Sequence, residues 1–145
     1  MHRDWYGESL QALQTGPRLT VQVMFLPQWQ RTCVSTHASG LLLHELLDPL
    51  PPFGTGLGLR RVQWQCHAKN IASRRAAERL GFLYEGTIRW KDVLPEGKSG
   101  DVMTGKGRMF GEKHLGRHSC LLAVYWDDWE ARGGTREKID ALMRR

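Results

Sequence analysis

The segment from Asn70 to Phe82, NIASRRAAERLGF, places the tightest constraint on how this 145-residue chain can fold. Asn70 is a residue type that caps helix starts, because its side-chain oxygen can accept an N–H bond from the first turn. The alanines and Leu80 that follow recur at helical spacing. Gly81 then stands where a left-handed residue commonly ends a helix, and Phe82 can fold back onto the last turn. The pattern predicts a short helix between Asn70 and Gly81.

A strand pattern leads directly into this helix. Between Leu59 and Cys66, apolar residues alternate with arginine and glutamine, as in a half-buried strand. A helix that follows so closely points its unpaired N-terminal amides toward the carboxyl end of the strand. Amides arranged in this way bind anions, phosphate groups among them. We therefore expect a phosphate-bearing ligand near Asn70.

A second strand, turn and helix precede this unit. Apolar residues alternate from Leu19 to Phe25, which predicts a strand. Apolar residues then recur at helical spacing until Asp48 and Pro49 stop the run. The turn between the two, residues 30–36, is rich in side-chain donors. The apolar positions predicted to share one face of the helix are Val34, Ala38, Leu41, Leu42 and Leu46.

Both segments resemble one known family. The GNAT-superfamily acetyltransferases, in the branch that includes the ribosomal-protein N-terminal acetyltransferases, have the signature N-x-x-S-x-x-x-A-x-x-x-G-F-x-x-E-G. The stretch from Asn70 to Arg89, NIASRRAAERLGFLYEGTIR, resembles it without a gap. An earlier stretch, FLPQWQRTCVSTHASGLLLHELLD, is similar to the strand, Q-R-T loop and helix of that branch. R-H-S at 117–119 and W-D-D-W-E at 126–130 are similar to a fungal-looking form of it.

The resemblance implies an α/β architecture. This is a partial GNAT, or acyl-CoA N-acyltransferase, fold with a mixed, twisted sheet flanked by helices, in a single domain over residues 1–145. The resemblance also implies acetyl-coenzyme A as the acetyl donor, with its pyrophosphate in the turn at 30–36. Where the branch often has glutamate in this loop, the chain has His37. The residues implied to bind the cofactor are Gln30, Arg31, Thr32, Ser35, Thr36, His37, Ala38, Asn70, Ser73 and Arg74.

Acetyl transfer to an amine requires a neutral amine, a donor for the developing oxyanion and an acid for the departing thiolate. Backbone amides from Val23 to Phe25 are candidates for the oxyanion donor. Ser73 and Tyr84 are the candidates for the acid. Structural roles stay open for both, because Ser73 can cap the helix and Tyr84 can fill an apolar strand face. Asn70 is implied to bond the amides of the pantetheine arm, or it only caps the helix.

The N-terminal region departs from the family pattern. Residues 1–18 show no sustained periodicity and are expected to be irregular, so the chain corresponds to the C-terminal part of the usual domain. The Leu19 strand is then expected to present a free edge, which a second copy can cover to form a homodimer. No Asp or Glu lies between Glu8 and Glu45 to deprotonate an amine, so the sequence identifies no general base there.

Loops, metals and thiols add further limits. Residues 49–58 and 95–117 are rich in proline or glycine and are predicted loops, the second mobile. No metal site is expected, because His114 and His118 lack the C-x2-C half of a zinc pattern. The three cysteines show no paired spacing, which is typical of reduced thiols. We find neither an apolar run of about 18 residues nor a signal-peptide pattern. The chain is therefore expected in the cytoplasm, or in the nucleus, without membrane contact.

Three functions stay open at this point. The first is an N-acetyltransferase that moves acetyl from acetyl-coenzyme A to a primary amine of unknown identity. The second is a catalytically inactive remnant that binds coenzyme A or a protein partner. The third is a nucleic-acid-binding module, because the net charge is +6 and paired arginines at 60–61 and 74–75 can track phosphates. The sequence contains no recognised nucleic-acid motif in support of the third.

Overall fold

The computed structural model of the protein describes residues 8–12, 19–101 and 115–145. Within these ranges the chain forms a sheet flanked by helices, and one turn of 3-10 helix at Pro27–Trp29. The strands are β1 (Glu8–Ala12), β2 (Leu19–Val23), β3 (Arg61–His67), β4 (Leu83–Val93) and β5 (Gly116–Tyr125). The helices are α1 (Cys33–Leu47), α2 (Ile71–Arg79), α3 (Trp126–Glu130) and α4 (Thr135–Met143).

The five strands form one sheet in the order β2-β1-β3-β5-β4. Every described ladder is antiparallel, whereas a mixed sheet was expected. The reason is that β1 lies between β2 and β3, which run in the same direction but do not pair. Strand β1 also corrects the expectation that residues 1–18 are irregular, and the rest of that segment lies outside the described residues. As expected, β2 is an edge strand of the described sheet.

Helix α2 forms where the sequence predicts it, and both of its ends are capped. Asn70 Oδ1 accepts from the amide of Ser73 at 3.1 Å. At the other end Gly81 has φ +91° and its amide donates to the carbonyl of Glu78, while the Phe82 amide donates to Ala77. This is a Schellman motif, in which the glycine conformation satisfies the last carbonyls. The segment from 70 to 82 therefore specifies its own boundaries.

Helix α1 forms as predicted but buries a different face. Its buried residues are Ser39, Gly40, Leu43, Leu46 and Leu47. Of the positions predicted to share one face, Leu41 is 65% exposed, Ala38 is exposed and Val34 is 36% exposed. The leucines of α1 lie on several sides of the helix, so their spacing does not determine which side is buried. Packing against α4 selects it, since a Cβ at Gly40 would lie 2.6 Å from Sδ of Met143.

The hydrophobic core lies between the helices and one face of β3 and β5. On the strands it contains alternate residues, among them Val62, Trp64, Leu122 and Val124. The helices cover these with Leu43, Leu46, Ala77, Trp129 and Ile139. Residues 120–125, an apolar run in the sequence, form the buried end of β5.

A polar cluster joins α1, α3 and α4 at the edge of this core. Asp48 Oδ2 bonds Nδ1 of His44 at 2.9 Å, and Asp48 Oδ1 accepts from the indole Nε1 of Trp129 at 2.9 Å. Nε2 of His44 bonds Asp140 Oδ1 at 2.9 Å. Arg136 Nε lies 3.3 Å from Asp48 Oδ1. These contacts fix the end of α1 to the two C-terminal helices.

The predicted loop at 95–117 is shorter than expected at its end. Gly116 already begins β5, and the amides of Asp101 and Gly116 each donate to the other's carbonyl, at 2.8 and 2.7 Å. Residues 102–114, with His114, lie outside the described residues, so the mobility of this loop and the absence of a metal site stay predictions. Among the described residues, no helix is long and apolar enough to cross a bilayer.

Candidate ligand groove

A groove of about 690 Å³ opens between two parts of the fold. One wall is built from the end of β2, the following turn and the start of α1. The other wall is built from β3 and α2. The residues that line the groove are Val23, Met24, Phe25, Gln30, Arg31, Ser35, Ser39, Trp64, Asn70, Ala72, Ser73, Arg75, Ala76, Arg79 and Leu80.

The turn after β2 is held by its own side chains. Gln30 Nε2 donates to the carbonyl of Phe25 at 3.0 Å, which closes the turn. Arg31 then adopts φ +61°, a left-handed conformation that residues other than glycine seldom take. Backbone strain of this kind is concentrated at binding and catalytic sites, where the surrounding structure maintains it. Here it directs the chain into α1 with Gln30 and Arg31 on the groove.

Side-chain and backbone donors surround the first turn of α1. Thr32 is the N-cap: its Oγ1 accepts from the amide of Val34 at 3.3 Å and donates to the carbonyl of Trp29 at 2.7 Å. Ser35 lines the groove, as does Ser39 one turn later. The other amides of a helix's first turn have no partner within the helix, and the helix dipole makes this end positive. This wall can therefore hold a phosphate group.

The opposite wall combines small side chains with positive charge. Ala72 and Ala76 of α2 line the groove, where they leave room for a ligand beside the helix. Arg75 and Arg79, one turn apart, line it as well. Together with Arg31 they are three arginines, and none of the described residues lining the groove is acidic. The groove is therefore suited to a polyanion.

Arg74, which the resemblance implied to bind the cofactor, is not among the residues that line the groove, whereas Arg75 and Arg79 are. Its Nε donates to Glu78 Oε1 at 2.9 Å, and its guanidinium lies 4.2 Å from the centre of the Tyr84 ring. The hydrogen bond to Glu78 raises the pKa of Arg74 above its usual value. Neighbouring residues on a helix point about 100° apart, so Arg74 and Arg75 point to different sides of α2.

Asn70, Ser73 and Trp64 form the end of the groove nearest the sheet. The Ser73 side chain is 2% exposed, and its Oγ accepts from Trp64 Nε1 at 3.0 Å. The carboxamide oxygen of Asn70 caps α2, while its NH2 group is not needed for that bond. Asn70 therefore caps the helix and also lines the groove. The side chains of Asn70 and Ser73 can each donate a hydrogen bond to a ligand at this end of the groove.

Tyr84, the other candidate acid, is not on the groove with Ser73. Its ring is 43% exposed and its hydroxyl bonds Oγ1 of Thr87 at 2.7 Å. It is not among the residues that line the groove. Thr36, His37 and Ala38 also lie outside it, and His37 Nδ1 donates to the carbonyl of Cys33 at 2.9 Å. Of the predicted site residues, the structure brings together Gln30, Arg31, Ser35, Asn70 and Ser73.

Several lining residues did not enter the predicted site. Ser39 follows Ser35 at a spacing of four, as Ala76 follows Ala72 and Arg79 follows Arg75. Residues four apart lie on the same helix face, so this spacing was the signal available in the sequence. In the sequence, Ala72 and Ala76 belong to the alanines whose helical spacing predicts α2, which indicates packing rather than contact with a ligand.

A second polar cluster lies outside the groove, where β3 ends and β5 begins. Burial lowers the pKa of His67, and the nearby Arg117 guanidinium lowers it further. Asp101 forms an ion pair with Lys69, and this hydrogen bond lowers the pKa of the Asp101 carboxyl. His118 accepts from the amide of Trp90 at Nδ1, at 2.8 Å. The cluster connects the loop before residue 101 to the sheet.

The chain is similar to known proteins in sequence and in structure. The family model described as "Acetyltransferase (GNAT) domain" matches residues 4–83, more than half of the chain. A GCN5-related N-acetyltransferase from Brucella melitensis shares 27% identity and a TM-score of 0.62 over 92% of this chain and 50% of its own. A protein from Chromobacterium violaceum, described as a probable acetyltransferase (GNAT family), shares 30% identity and a TM-score of 0.56 over 79% of this chain and 44% of its own.

These similarities confirm the fold class predicted from the sequence, an α/β fold with helices flanking a sheet. The chain spans about half the length of the solved relatives it matches. A comparison with curated proteins finds no significant match.

Proposed function

This chain belongs to the GNAT acetyltransferase family, and from that premise we propose that it is an N-acetyltransferase that transfers acetyl from acetyl-coenzyme A to a primary amine. Membership of the family implies acyl transfer from an acyl-coenzyme A to an acceptor. The observation that supports the proposal for this chain is the composition of one groove. It combines three arginines and the start of α1 with Asn70 and Ser73.

The residues that line the groove fit the chemistry of acetyl-coenzyme A. The molecule has phosphate groups at one end, a pantetheine arm with two amides, and a thioester at the other end. Arg31 and the first turn of α1 are suited to the phosphates, with Arg75 and Arg79 on the facing wall. Ala72 and Ala76 leave room for the arm. The NH2 group of Asn70 is suited to an amide carbonyl of the arm.

In the proposed reaction the amine nitrogen attacks the thioester carbonyl, a C–N bond forms and the C–S bond breaks. Backbone amides at Val23 to Phe25 are the proposed donors to the carbonyl oxygen, because these residues line the groove where β2 ends. Ser73 is the proposed acid for the departing sulfur. The proton that the amine loses replaces the one that Ser73 gives up, so one proton moves from nitrogen to sulfur in each turnover.

The acceptor and the assembly are further parts of the proposal. The sequence resemblance to the ribosomal-protein branch favours the N-terminal amine of a protein as the first acceptor class to assay, with small-molecule amines second. We also propose that a second copy covers the free edge of β2, as unpaired strand edges favour such pairing. Light scattering on the purified chain tests the second point, and we expect the mass of a dimer. We further propose that the protein works in the cytoplasm or in the nucleus.

Calorimetric titration with acetyl-coenzyme A tests the binding step. We expect saturable one-site binding by the full chain, weakened roughly tenfold by Arg75→Ala or by Arg79→Ala, because each removes a charged donor to phosphate. Arg74→Ala is the matched control on the same helix and is expected to bind as the wild type does. Equal weakening by Arg74→Ala would contradict the assignment of the groove.

Turnover is tested separately, by release of free thiol in the presence of N-terminal peptides and small amines. Thiol release that depends on the amine supports the transferase. A chain that binds acetyl-coenzyme A and releases no thiol with any amine would be the inactive remnant instead. A folded chain that does not bind acetyl-coenzyme A at all would refute the proposal.

A further inference from the structure

Trp64 packs in the core and also forms a hydrogen bond to a residue of the groove. The indole is 2% exposed and packs edge-on against the ring of Phe82, with centroids 5.5 Å apart. Its Nε1 nevertheless donates to Oγ of Ser73 at 3.0 Å, and both residues line the groove. A buried indole N–H needs an acceptor. In this protein the acceptor is the hydroxyl that we propose as the acid.

The direction of this bond is fixed by chemistry. An indole N–H only donates, whereas a serine hydroxyl has one proton and two lone pairs. Oγ of Ser73 is therefore the acceptor, and its own proton points away from Trp64. The amide of Ser73 is bonded to Asn70 Oδ1, which holds the backbone at this point. Among the described residues, Trp64 is the hydrogen-bond partner of Ser73 Oγ, so the hydroxyl proton is available to a ligand in the groove.

The donor itself is held on a rigid element. Trp64 lies in the middle of β3, opposite Leu122 of β5 and Leu10 of β1 in the register of the sheet. The T-shaped contact with Phe82 limits rotation of the indole. A donor on a central strand, supported from both neighbouring strands, keeps its position better than one on a loop. The bond therefore also connects α2 to the sheet at the level of the groove.

We infer that Trp64 is a positioning residue for acetyl transfer, which holds Oγ of Ser73 so that the serine proton points at the thioester sulfur. This inference rests on the proposed function. As the C–S bond breaks, the Ser73 hydroxyl gives its proton to the sulfur, and the indole N–H stabilises the charge that develops on the serine oxygen. The proton that the amine releases then returns to that oxygen. Trp64 acts through Ser73.

A substitution pair tests the inference with wild type as the reference. Trp64→Phe keeps an aromatic ring and removes the N–H. We expect kcat to fall roughly tenfold, as for loss of one hydrogen bond to a group that becomes charged, with the KM for acetyl-coenzyme A within about twofold of wild type. In a Ser73→Ala background the same change should leave kcat unaltered, because the group it positions is gone.

Trp129→Phe is the matched control. Trp129 is 1% exposed, and its Nε1 also donates to a buried acceptor, Asp48, at a place outside the groove. The Trp129→Phe variant should have a lower melting temperature and an unchanged kcat per folded molecule. If Trp64→Phe behaves like this control, with stability lowered and kcat retained, or lowers kcat equally in the Ser73→Ala background, the inference is overturned.

A second measurement covers the case in which Trp64→Phe does not fold. In nitrogen-15 spectra, Ser73→Ala should shift one indole N–H resonance, and coenzyme A should shift the same resonance in the wild type. A resonance that responds to Ser73→Ala and not to coenzyme A overturns the inference. Failure of the proposed function would look different, because the folded wild type would then neither bind acetyl-coenzyme A nor release thiol.

Discussion

Asp48 is the acceptor on which three elements of the fold converge, and its removal should be costly. In Asp48→Ala the Trp129 indole N–H, 1% exposed, loses its acceptor. A buried donor left unsatisfied costs about 1–3 kcal/mol. The contacts from His44 and Arg136 add roughly 1 kcal/mol together, because both of these side chains are partly exposed. We expect the free energy of unfolding to fall by about 3 kcal/mol.

Thermal and urea unfolding, followed by far-ultraviolet circular dichroism, measure this loss. A cost of this size should lower the melting temperature of a domain of this length by roughly 9 °C. Asp140→Ala is the matched control, because it removes only the second carboxylate at His44, on a side chain that is 36% exposed. It should cost less than about 1 kcal/mol. Asp48→Asn keeps an oxygen for Trp129 and should fall between the two.

The reasoning would be refuted if Asp48→Ala were no more destabilising than Asp140→Ala. Binding of acetyl-coenzyme A by the folded fraction should be unchanged in both variants, since neither residue lines the groove. A loss of binding as large as that expected for Arg75→Ala would mean that the polar cluster joining α1, α3 and α4 also supports the groove.

Three further outcomes are expected. Gly81→Ala should lower the free energy of unfolding by roughly 2 kcal/mol in denaturant melts, because φ is +91° there and the new Cβ would lie 2.6 Å from Cγ2 of Thr135. Arg31→Gly should relieve the left-handed strain and raise the free energy of unfolding by about 0.5–1 kcal/mol, while calorimetry should show weaker binding of acetyl-coenzyme A. A variant that is both less stable and weaker in binding would contradict the strain assigned to Arg31. The pKa of Asp101 is lowered by Lys69, so its contribution to stability is present above the carboxyl's ordinary value and is lost as pH falls through the folded value. Below about pH 4, the wild type should therefore lose more of its stability than Asp101→Asn, and parallel pH profiles would argue against the ion pair.

The parts of the fold that the sequence predicted are those fixed by local chemistry. Helix α2 has its cap, its apolar positions and its glycine stop within 13 consecutive residues, NIASRRAAERLGF, and the structure follows them. The strand before it is indicated by an equally local pattern, the alternation between Leu59 and Cys66. The pairing of β1 between β2 and β3 is different in kind. It joins residues about 55 apart, such as Ser9 and Gln65, and no short-range pattern specifies such a contact.

Within the groove, the contrast between local patterns and long-range contacts again decides which of the predicted residues the structure brings together. Gln30, Arg31, Ser35, Asn70 and Ser73 lie in motifs that the resemblance covered, and the structure brings them together. The choice between neighbouring arginines was missed, because it depends on how α2 is rotated against the sheet. That rotation is set by tertiary contacts such as the bond from Trp64 to Ser73, which joins two separate elements. The role of Tyr84 stays a prediction that the geometry does not support, since Tyr84 lies outside the groove.

The capping of α2 has a consequence for how this chain can change over evolution. Its ends are set by Asn70 and Gly81, and its rotation by Ser73, whereas the ligand-facing positions Arg75 and Arg79 take part in none of these contacts. Substitutions at those two positions can therefore accumulate without altering where the helix begins, ends or points. Helix α2 is therefore a surface on which the ligand preference of the groove can change, by natural drift or in a directed library, without loss of the fold.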